Sequence, residues 1–198
     1  LSKKNSMVVG IDNFRLGKHK FIKKFLNKKN FFFLKADLNK KINNSKFKKI
    51  LKSSRLEEVW LLAANSDILA GVNDPEVDYR DTFLTTFNFI NLLKPFLNNN
   101  TKLIFTSSSA IYGNIGSVIH EKSSPLMPES NYGAMKLAME GYISAYSFSN
   151  KVKSFIFRFP NVIGTNLTHG VIYDLSRKIL SAAKYLKVLG NGEQCKPY

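Results

Sequence analysis

Lys102-Leu103-Ile104-Phe105-Thr106 decides the fold, because this short apolar run lies between two long helical patterns. Before it, Asp78–Leu97 carries apolar residues at helical spacing and has no helix breaker until Pro95. After it, Asn131–Ser149 shows a second long helical pattern. A buried strand joined to helices on both sides is typical of a parallel sheet built from alternating strands and helices.

The same alternation continues along the rest of the chain. Further strands are predicted at Met7–Ile11, Asn30–Leu34, Glu58–Ala64 and Val152–Phe157. Further helices are predicted at His19–Asn27, Ser45–Ser53 and Val171–Lys184. Right-handed crossovers then give an α/β fold with a doubly wound, mainly parallel sheet covered on both faces. Ligands of such sheets bind beyond the carboxyl ends of the strands.

Length and composition indicate a folded domain and restrict the cellular compartments that suit it. The 198 residues are 44% hydrophobic, which is enough for a sizeable core, and no apolar run reaches the roughly 18 to 20 residues that cross a bilayer. Cys195 is the only cysteine, so a disulfide framework is excluded and a reducing compartment fits. No signal peptide pattern precedes Met7–Ile11, and we expect a cytoplasmic protein.

The net charge of +16 raises the question of a nucleic-acid partner. The lysines are spread along the chain, which favours a solvated basic surface over a dedicated nucleic-acid patch. Phe31-Phe32-Phe33 lies in a predicted buried strand and is a poor platform for stacking bases. A non-catalytic protein that binds nucleotides or nucleic acid through the lysine surface remains an alternative.

Tyr132 and Lys136 form the strongest chemical signal. They are four residues apart, so a helix places them on one face, one turn from each other. Tyrosine has an ordinary pKa of about 10, and both a nearby ammonium and the positive end of a helix favour its phenolate. Ser107-Ser108-Ser109 follows the strand at Lys102–Thr106, and a serine hydroxyl opposite the tyrosine could assist proton transfer.

Two segments carry a resemblance to a known family. Phe105–Gly113 resembles the serine strand, and Pro125–Lys136 resembles the active-site segment, of the NAD-dependent epimerase/dehydratase family, the UDP-glucose 4-epimerase-like extended short-chain dehydrogenases. The resemblance continues through Arg158–Gly164. It implies Ser108, Tyr132 and Lys136 as catalytic residues, with Ser108 chosen by counting back from Tyr112-Gly113. It also implies NAD as cofactor and a nucleoside-diphosphate sugar as substrate.

The resemblance implies a set of cofactor-binding residues. Asp12 closes the first strand, where a carboxylate can accept hydrogen bonds from ribose hydroxyls; a turn-forming role is the alternative. Its charge favours NAD over NADP, although Arg15 lies close by in sequence. The implied cofactor-binding positions are Asp12, Asn13, Asp37, Leu38, Leu62, Ala63, Ala64, Tyr132, Lys136 and Pro160.

The substrate positions implied by the resemblance are Ser108, Ser109, Tyr132 and Asn161, and Thr168-His169-Gly170 is a further candidate for lining the sugar site. The related dehydratases carry Asp-Glu after the catalytic serine or threonine. Ser109 and Ala110 stand there and cannot supply an acid and a base near neutrality, which favours epimerisation or simple oxidoreduction. The histidines form no ligand cluster, so no metal is expected.

The largest departure from the family is a missing glycine-rich loop. That loop follows the family's first strand, and Leu1–Ser6 is too short to hold both. The resemblance therefore implies a chain that is incomplete at both ends. Its sheet would lack the central strand, and the chain would bind NAD poorly. We expect residues 1–160 to be a partial NAD-binding domain and 161–198 to begin the sugar-nucleotide-binding region. The two long helices, Asp78–Leu97 and Asn131–Ser149, match those that form the family's dimer interface, and their apolar faces could equally pack on the sheet as core.

Overall fold

The computed structural model describes residues 6–116, 118–167, 170–181, 185–186, 188 and 191. Two compact units, Leu1–Arg158 and Phe159–Tyr198, divide the chain. The strands are β1 Val8–Asp12, β2 Phe31–Lys35, β3 Glu58–Leu61, β4 Lys102–Ser108 and β5 Lys153–Phe159. The α-helices are α1 Ser45–Ser53, α2 Ile68–Asn73, α3 Pro75–Asp78, α4 Thr85–Leu93, α5 Asn131–Asn150 and α6 Val171–Leu180. Among the described residues, no helix combines the length and apolar character that a membrane crossing requires.

The strands form two parallel arrangements. β1 pairs with β2 in parallel, with Val8 opposite Phe31, and β3 pairs with β4 in parallel, with Glu58 opposite Lys102. β5 lies on the other side of β4. In the doubly wound order 3-2-1-4-5-6, the pair β2-β1 and the run β3-β4-β5 correspond to the strands on either side of the central strand. The predicted α/β, Rossmann-like fold is confirmed.

One hydrophobic core unites both sheets and the helices. β2, β3 and β4 contribute Leu34, Val59, Leu61, Leu103 and Phe105 to it. The helices contribute Phe47 from α1, Ile90 and Leu93 from α4, and Met139 and Ile143 from α5. The two long helices therefore use one face each to cover the same side of the sheet, as their apolar periodicity predicted.

The opposite face of the sheet is less completely covered than the sequence predicted. Trp60 on β3 is 54% exposed and Phe155 on β5 is 45% exposed. Side chains alternate between the two faces of a strand, so Val59 and Leu61 enter the core while Trp60 faces away from it. The core helices α1, α4 and α5 all pack on the Val59 side.

The predicted helix Asp78–Leu97 begins earlier and is more varied than its pattern indicated. Asp74 caps the start, its side chain accepting a hydrogen bond from Glu76 N, and Pro75 occupies the first turn. The chain then stays helical through a π-helical segment, Tyr79–Leu84, before α4 and a short 3-10 turn at Lys94–Phe96. π-helical segments inside helices are frequent at functional sites.

The predicted helix His19–Asn27 is wrong. This segment forms only two 3-10 turns, His19–Phe21 and Lys23–Phe25, neither of which has a side-chain cap or an acidic residue in its first turn. Lys20 and Lys24 would repel each other at helical spacing, so the lysines that suggested an amphipathic helix also weaken it. The strand predicted at Glu58–Ala64 ends at Leu61, which frees the next three residues for a site.

Candidate active site

A cavity of about 310 Å³ lies at the carboxyl ends of β1, β2 and β3. Seven of the predicted cofactor-binding positions line it together: Asp12, Asn13, Asp37, Leu38, Leu62, Ala63 and Ala64. These residues come from three separate parts of the sequence, and the parallel strands bring them to one edge. Their role in binding a cofactor stays a prediction, but they share one concave surface.

Asp12 is held in a tight turn at the mouth of this cavity. Its Oδ1 accepts a hydrogen bond from Phe14 N at 2.6 Å, and Phe14 has a φ of 59°. Gly17 lies against the carboxylate, where an added Cβ would be 2.9 Å from Asp12 Oδ2. The turn-forming reading of Asp12 is therefore correct. The turn uses only part of the hydrogen-bonding capacity of the carboxylate. Asp12 can therefore still accept hydrogen bonds from ribose hydroxyls in this geometry.

The cavity also contains residues that sequence reasoning missed. Arg15 makes an ion pair with Asp81, and both line the wall together with Asn65 and Thr85. Asn65 directly follows Leu62-Ala63-Ala64, so its position in the sequence was an available signal. No local signal marks Asp81 or Thr85, because only the packing of the helical segment at Tyr79–Leu93 brings them to the cavity. The positive charge of Arg15 had weakened the predicted preference for NAD over NADP. The ion pair with Asp81 neutralises that charge.

Ser108 and Tyr132 are brought together by the end of β4 and the start of α5. Ser108 ends β4, and its Oγ accepts a hydrogen bond from Ala110 N at 3.2 Å, which starts the 3-10 turn Ser109–Tyr112. Ser130 caps α5, accepting a hydrogen bond from Gly133 N at 3.1 Å. Tyr132 therefore lies in the first turn of α5, half-buried, and the Ser108 side chain is close enough to lower the pKa of its hydroxyl.

Lys136 lies one turn further along α5 and is 2% exposed. Its ammonium donates a hydrogen bond to the carbonyl oxygen of Thr106 at 2.6 Å. It also lies 5.5 Å from the centre of the Tyr132 ring and 4.8 Å from that of Phe105. The predicted shared face of Tyr132 and Lys136 is therefore present, next to the strand that ends in Ser108.

The expected ionisation of Tyr132 is not what this structure shows. Burial raises the pKa of Tyr132, its hydrogen bond with Ser108 lowers it, and the charge of Asp78 raises it. Burial also lowers the pKa of Lys136 to about 8. The prediction that Lys136 and the helix start make this phenol acidic is therefore wrong, because burial, the largest cause, raises its pKa.

The three neighbouring serines have different surroundings. Ser107 points into the core, is 4% exposed, and its Oγ makes no hydrogen bond within the described residues. Ser108 lowers the pKa of Tyr132, whereas Ser109 is the first residue of the 3-10 turn. These surroundings are compatible with Ser108 as the catalytic serine, and its role stays a prediction.

Arg158 ties together the elements that carry the reactive residues. Its guanidinium makes a salt bridge with Glu140 of α5 at 2.8 Å and donates hydrogen bonds to Tyr112 Oη at 2.9 Å and to the Glu121 carbonyl at 2.8 Å. These partners belong to α5, to the turn after Ser108 and to the loop before Tyr132. The contact with the Glu121 main chain holds that loop against β5.

The remaining predicted positions belong to the second unit or lie outside the described residues. Pro160 and Asn161 are exposed and directly follow β5, in the unit Phe159–Tyr198. Thr168 and His169 lie outside the described residues, and Gly170 directly precedes α6. The proposed roles of Pro160 and Asn161 stay predictions.

Two curated proteins that resemble this chain are sugar-nucleotide 4-epimerases by name. A putative UDP-glucose 4-epimerase of Methanocaldococcus jannaschii is 27% identical over 100% of this chain and 63% of its own length. A UDP-glucuronate 4-epimerase of Thermodesulfobacterium geofontis is 26% identical over 100% of this chain and 61% of its own length. The chain thus spans less than two thirds of these relatives.

Solved structures that resemble this chain include a sugar-nucleotide 4-epimerase. The UDP-glucuronic acid 4-epimerase of Bacillus cereus, solved in complex with UDP-glucuronic acid and NAD, has a TM-score of 0.80. It is 25% identical and matches 95% of this chain and 59% of its own. The sequence model of the NAD dependent epimerase/dehydratase family matches residues 1–198. With Ser108, Tyr132 and Lys136 beside the end of β4, the chain belongs to the NAD dependent epimerase/dehydratase family.

Proposed function

We propose that the protein acts in the NAD-dependent epimerisation of a nucleoside-diphosphate sugar, in the manner of UDP-glucose 4-epimerase. The observation that carries the proposal is the buried Lys136 ammonium, which lies 5.5 Å from the centre of the Tyr132 ring and donates a hydrogen bond to Thr106 O on the strand that ends in Ser108. Two hydroxyls at one strand end can share a sugar hydroxyl, which is the arrangement that proton transfer requires.

The residues fit the cofactor on the ribose and adenine side. The small residues Ala63 and Ala64 line the same cavity as Asp12. A ligand there can reach both the main chain of the two alanines and the carboxylate oxygens of Asp12. We assign the ribose hydroxyls to Asp12, with Asn13 beside it, the adenine to Asp37 and Leu38, and the region nearest the pyrophosphate to Leu62–Ala64. The nicotinamide, when bound, accepts a hydride and returns it.

Tyr132 and Ser108 perform the proton transfers in this proposal. Tyr132 as phenolate takes the proton of the sugar hydroxyl while the C–H bond of the same carbon breaks as hydride, which leaves a ketone. Ser108 hydrogen-bonds the reacting oxygen. Tyr132 then returns its proton to that oxygen when hydride comes back to the opposite face, so epimerisation has no net redox change. Ser109 and Ala110 supply no acid or base for dehydration.

Product analysis tests the proposal against its nearest alternative. The complete gene product is incubated with UDP-glucose and related sugar nucleotides plus NAD, and the products are followed by NMR. We expect a 4-epimer without net NADH. NADH in proportion to product would instead identify a dehydrogenase or reductase at the same site. Salt-sensitive DNA binding with no turnover would identify the non-catalytic, lysine-based alternative.

We also infer a homodimer formed through α4 and α5. A row of aromatic rings runs from the π-helical segment across α4 to α5: Tyr79, Phe83, Phe87, Tyr142 and Tyr146, with neighbouring centres 5.1 to 6.2 Å apart. Four of these rings are partly buried and pack against the hydrophobic core on one side, whereas Tyr79 is 51% exposed. A broad aromatic surface with little charge is typical of protein interfaces.

A charge placed in this row is expected to separate the dimer. Tyr142→Glu puts a carboxylate between Phe87 and Tyr146, where a second subunit would have to bury it unpaired. Sedimentation velocity is expected to show monomers for this variant and dimers for the unmodified protein. Phe148→Glu, at a 90% exposed position near the end of α5, is the control. Unchanged sedimentation of a folded Tyr142→Glu protein would exclude this interface.

A further inference from the structure

Asp78 is a buried carboxylate that the proposed mechanism does not use. It is 1% exposed, at the end of α3 where the π-helical segment begins. Its Oδ1 accepts a hydrogen bond from the Asn65 side chain at 2.8 Å, and Asn65 is also 1% exposed. Burying a carboxylate costs free energy unless hydrogen bonds or an opposite charge compensate for the lost water. None of the described salt bridges includes Asp78.

The position of Asp78 connects it to the start of α5. Its carboxylate packs directly on Gly71 of α2, where an added Cβ would lie 1.8 Å from Asp78 Oδ2. The carbonyl of Gly71 in turn accepts a hydrogen bond from the Asn131 side chain at 3.0 Å. Asn131 is the first residue of α5 and directly precedes Tyr132. Both α3 and the π-helical segment also pack against α5.

We propose that Asp78 is a positioning residue for Tyr132: through Gly71 and Asn131 it seats α2 against the first turn of α5, and it holds a buried charge one residue away from the cavity. The link to catalysis rests on the proposed function, in which Tyr132 is the base. Asn65 lines the cofactor cavity and lies directly against Asp78, so a single buried residue separates this carboxylate from the cavity.

The charges around the phenol support this assignment. Ser108 reaches Tyr132 from β4, Lys136 lies under its ring from α5, and Asp78 acts from α3. Asp78 raises the pKa of Tyr132, in the same direction as burial, whereas Ser108 lowers it. Asp78 and Ser108 thus act on this phenol in opposite directions.

Neutral variants of Asp78 test the proposal through the titration of Tyr132. Asp78→Asn keeps the shape and the acceptor for Asn65, and Asp78→Ser is a smaller neutral alternative. The phenolate is followed by its absorbance near 295 nm against pH, with Tyr132→Phe subtracted to isolate this one ring. Removing the negative charge is expected to lower the pKa of Tyr132, so that the phenolate fraction at a given pH below the midpoint rises severalfold.

The pH profile of kcat/KM gives a second readout. Its acidic limb is expected to move to lower pH in both neutral variants. Glu76→Gln, an exposed carboxylate on the same short helix, is the control and is expected to leave both curves in place. The absorbance titration needs no turnover, so it distinguishes a failure of this proposal from a failure of the epimerase assignment. The proposal would be overturned if the folded Asp78 variants gave the same Tyr132 titration curve as the Glu76→Gln control. Loss of folding in both variants would also overturn it, because Asp78 would then be a structural residue only.

Discussion

Tyr132→Phe is expected to lower kcat by about 10²- to 10⁴-fold, the range contributed by a positioned acid or base. The change removes one oxygen and keeps the ring, whose packing beneath the Lys136 ammonium at 5.5 Å should persist. KM for the sugar nucleotide should therefore change much less than kcat. The measurement is steady-state kinetics on the complete gene product, with the free energy of unfolding determined in parallel.

Tyr146→Phe is the matched control for this prediction. It removes the same hydroxyl from the same helix, at a position that packs on Tyr142 and not on Ser108. Its kcat should equal that of the unmodified protein. A Tyr132→Phe enzyme that retains full rate would show that another group serves as the base, and Ser108 would then be the next residue to examine.

Gly133→Ala is expected to impair both activity and stability. A Cβ at residue 133 would lie 2.6 Å from the carbonyl oxygen of Ala110 and 3.0 Å from Pro128 Cβ, so the start of α5 must move away from the turn that follows Ser108. Tyr132 and Ser108 lie on the two sides of this contact. A displacement approaching 1 Å can cost about 10²-fold in rate, and overpacking costs about 1 to 3 kcal/mol of stability.

Gly141→Ala provides the opposite expectation on the same helix. Gly141 is exposed and has nothing within 4 Å of an added Cβ. Alanine is a better helix former than glycine, so this variant should gain about 1 kcal/mol in the free energy of unfolding, with unchanged kcat. Urea denaturation and kcat measurements on the two variants separate the close contact from a general effect of glycine replacement. Equal behaviour of the two variants would contradict the importance of the contact at Ala110.

Local sequence patterns predicted most of the elements because those elements depend on local forces. Ser45–Ser53 is a helix within the predicted bounds, and Asn44 caps it by accepting a hydrogen bond from Phe47 N at 2.8 Å. The strand at Lys102 and the helix at Asn131 also begin where the pattern placed them. The failure at His19–Asn27 has the same origin, since a pattern of apolar positions does not weigh repulsion between lysines.

The candidate site divides in a similar way. The sequence by itself determined the spacing of Tyr132 and Lys136, the serine at a strand end and the small residues after β3, because each follows from helix or strand geometry. Only the tertiary structure showed that Ser107 is buried while its neighbour Ser108 is not, since one position along a strand reverses the direction of a side chain. Only packing placed Asp78 near Tyr132 and reversed the expected pKa shift, because burial and long-range charge depend on neighbours that are distant in the chain.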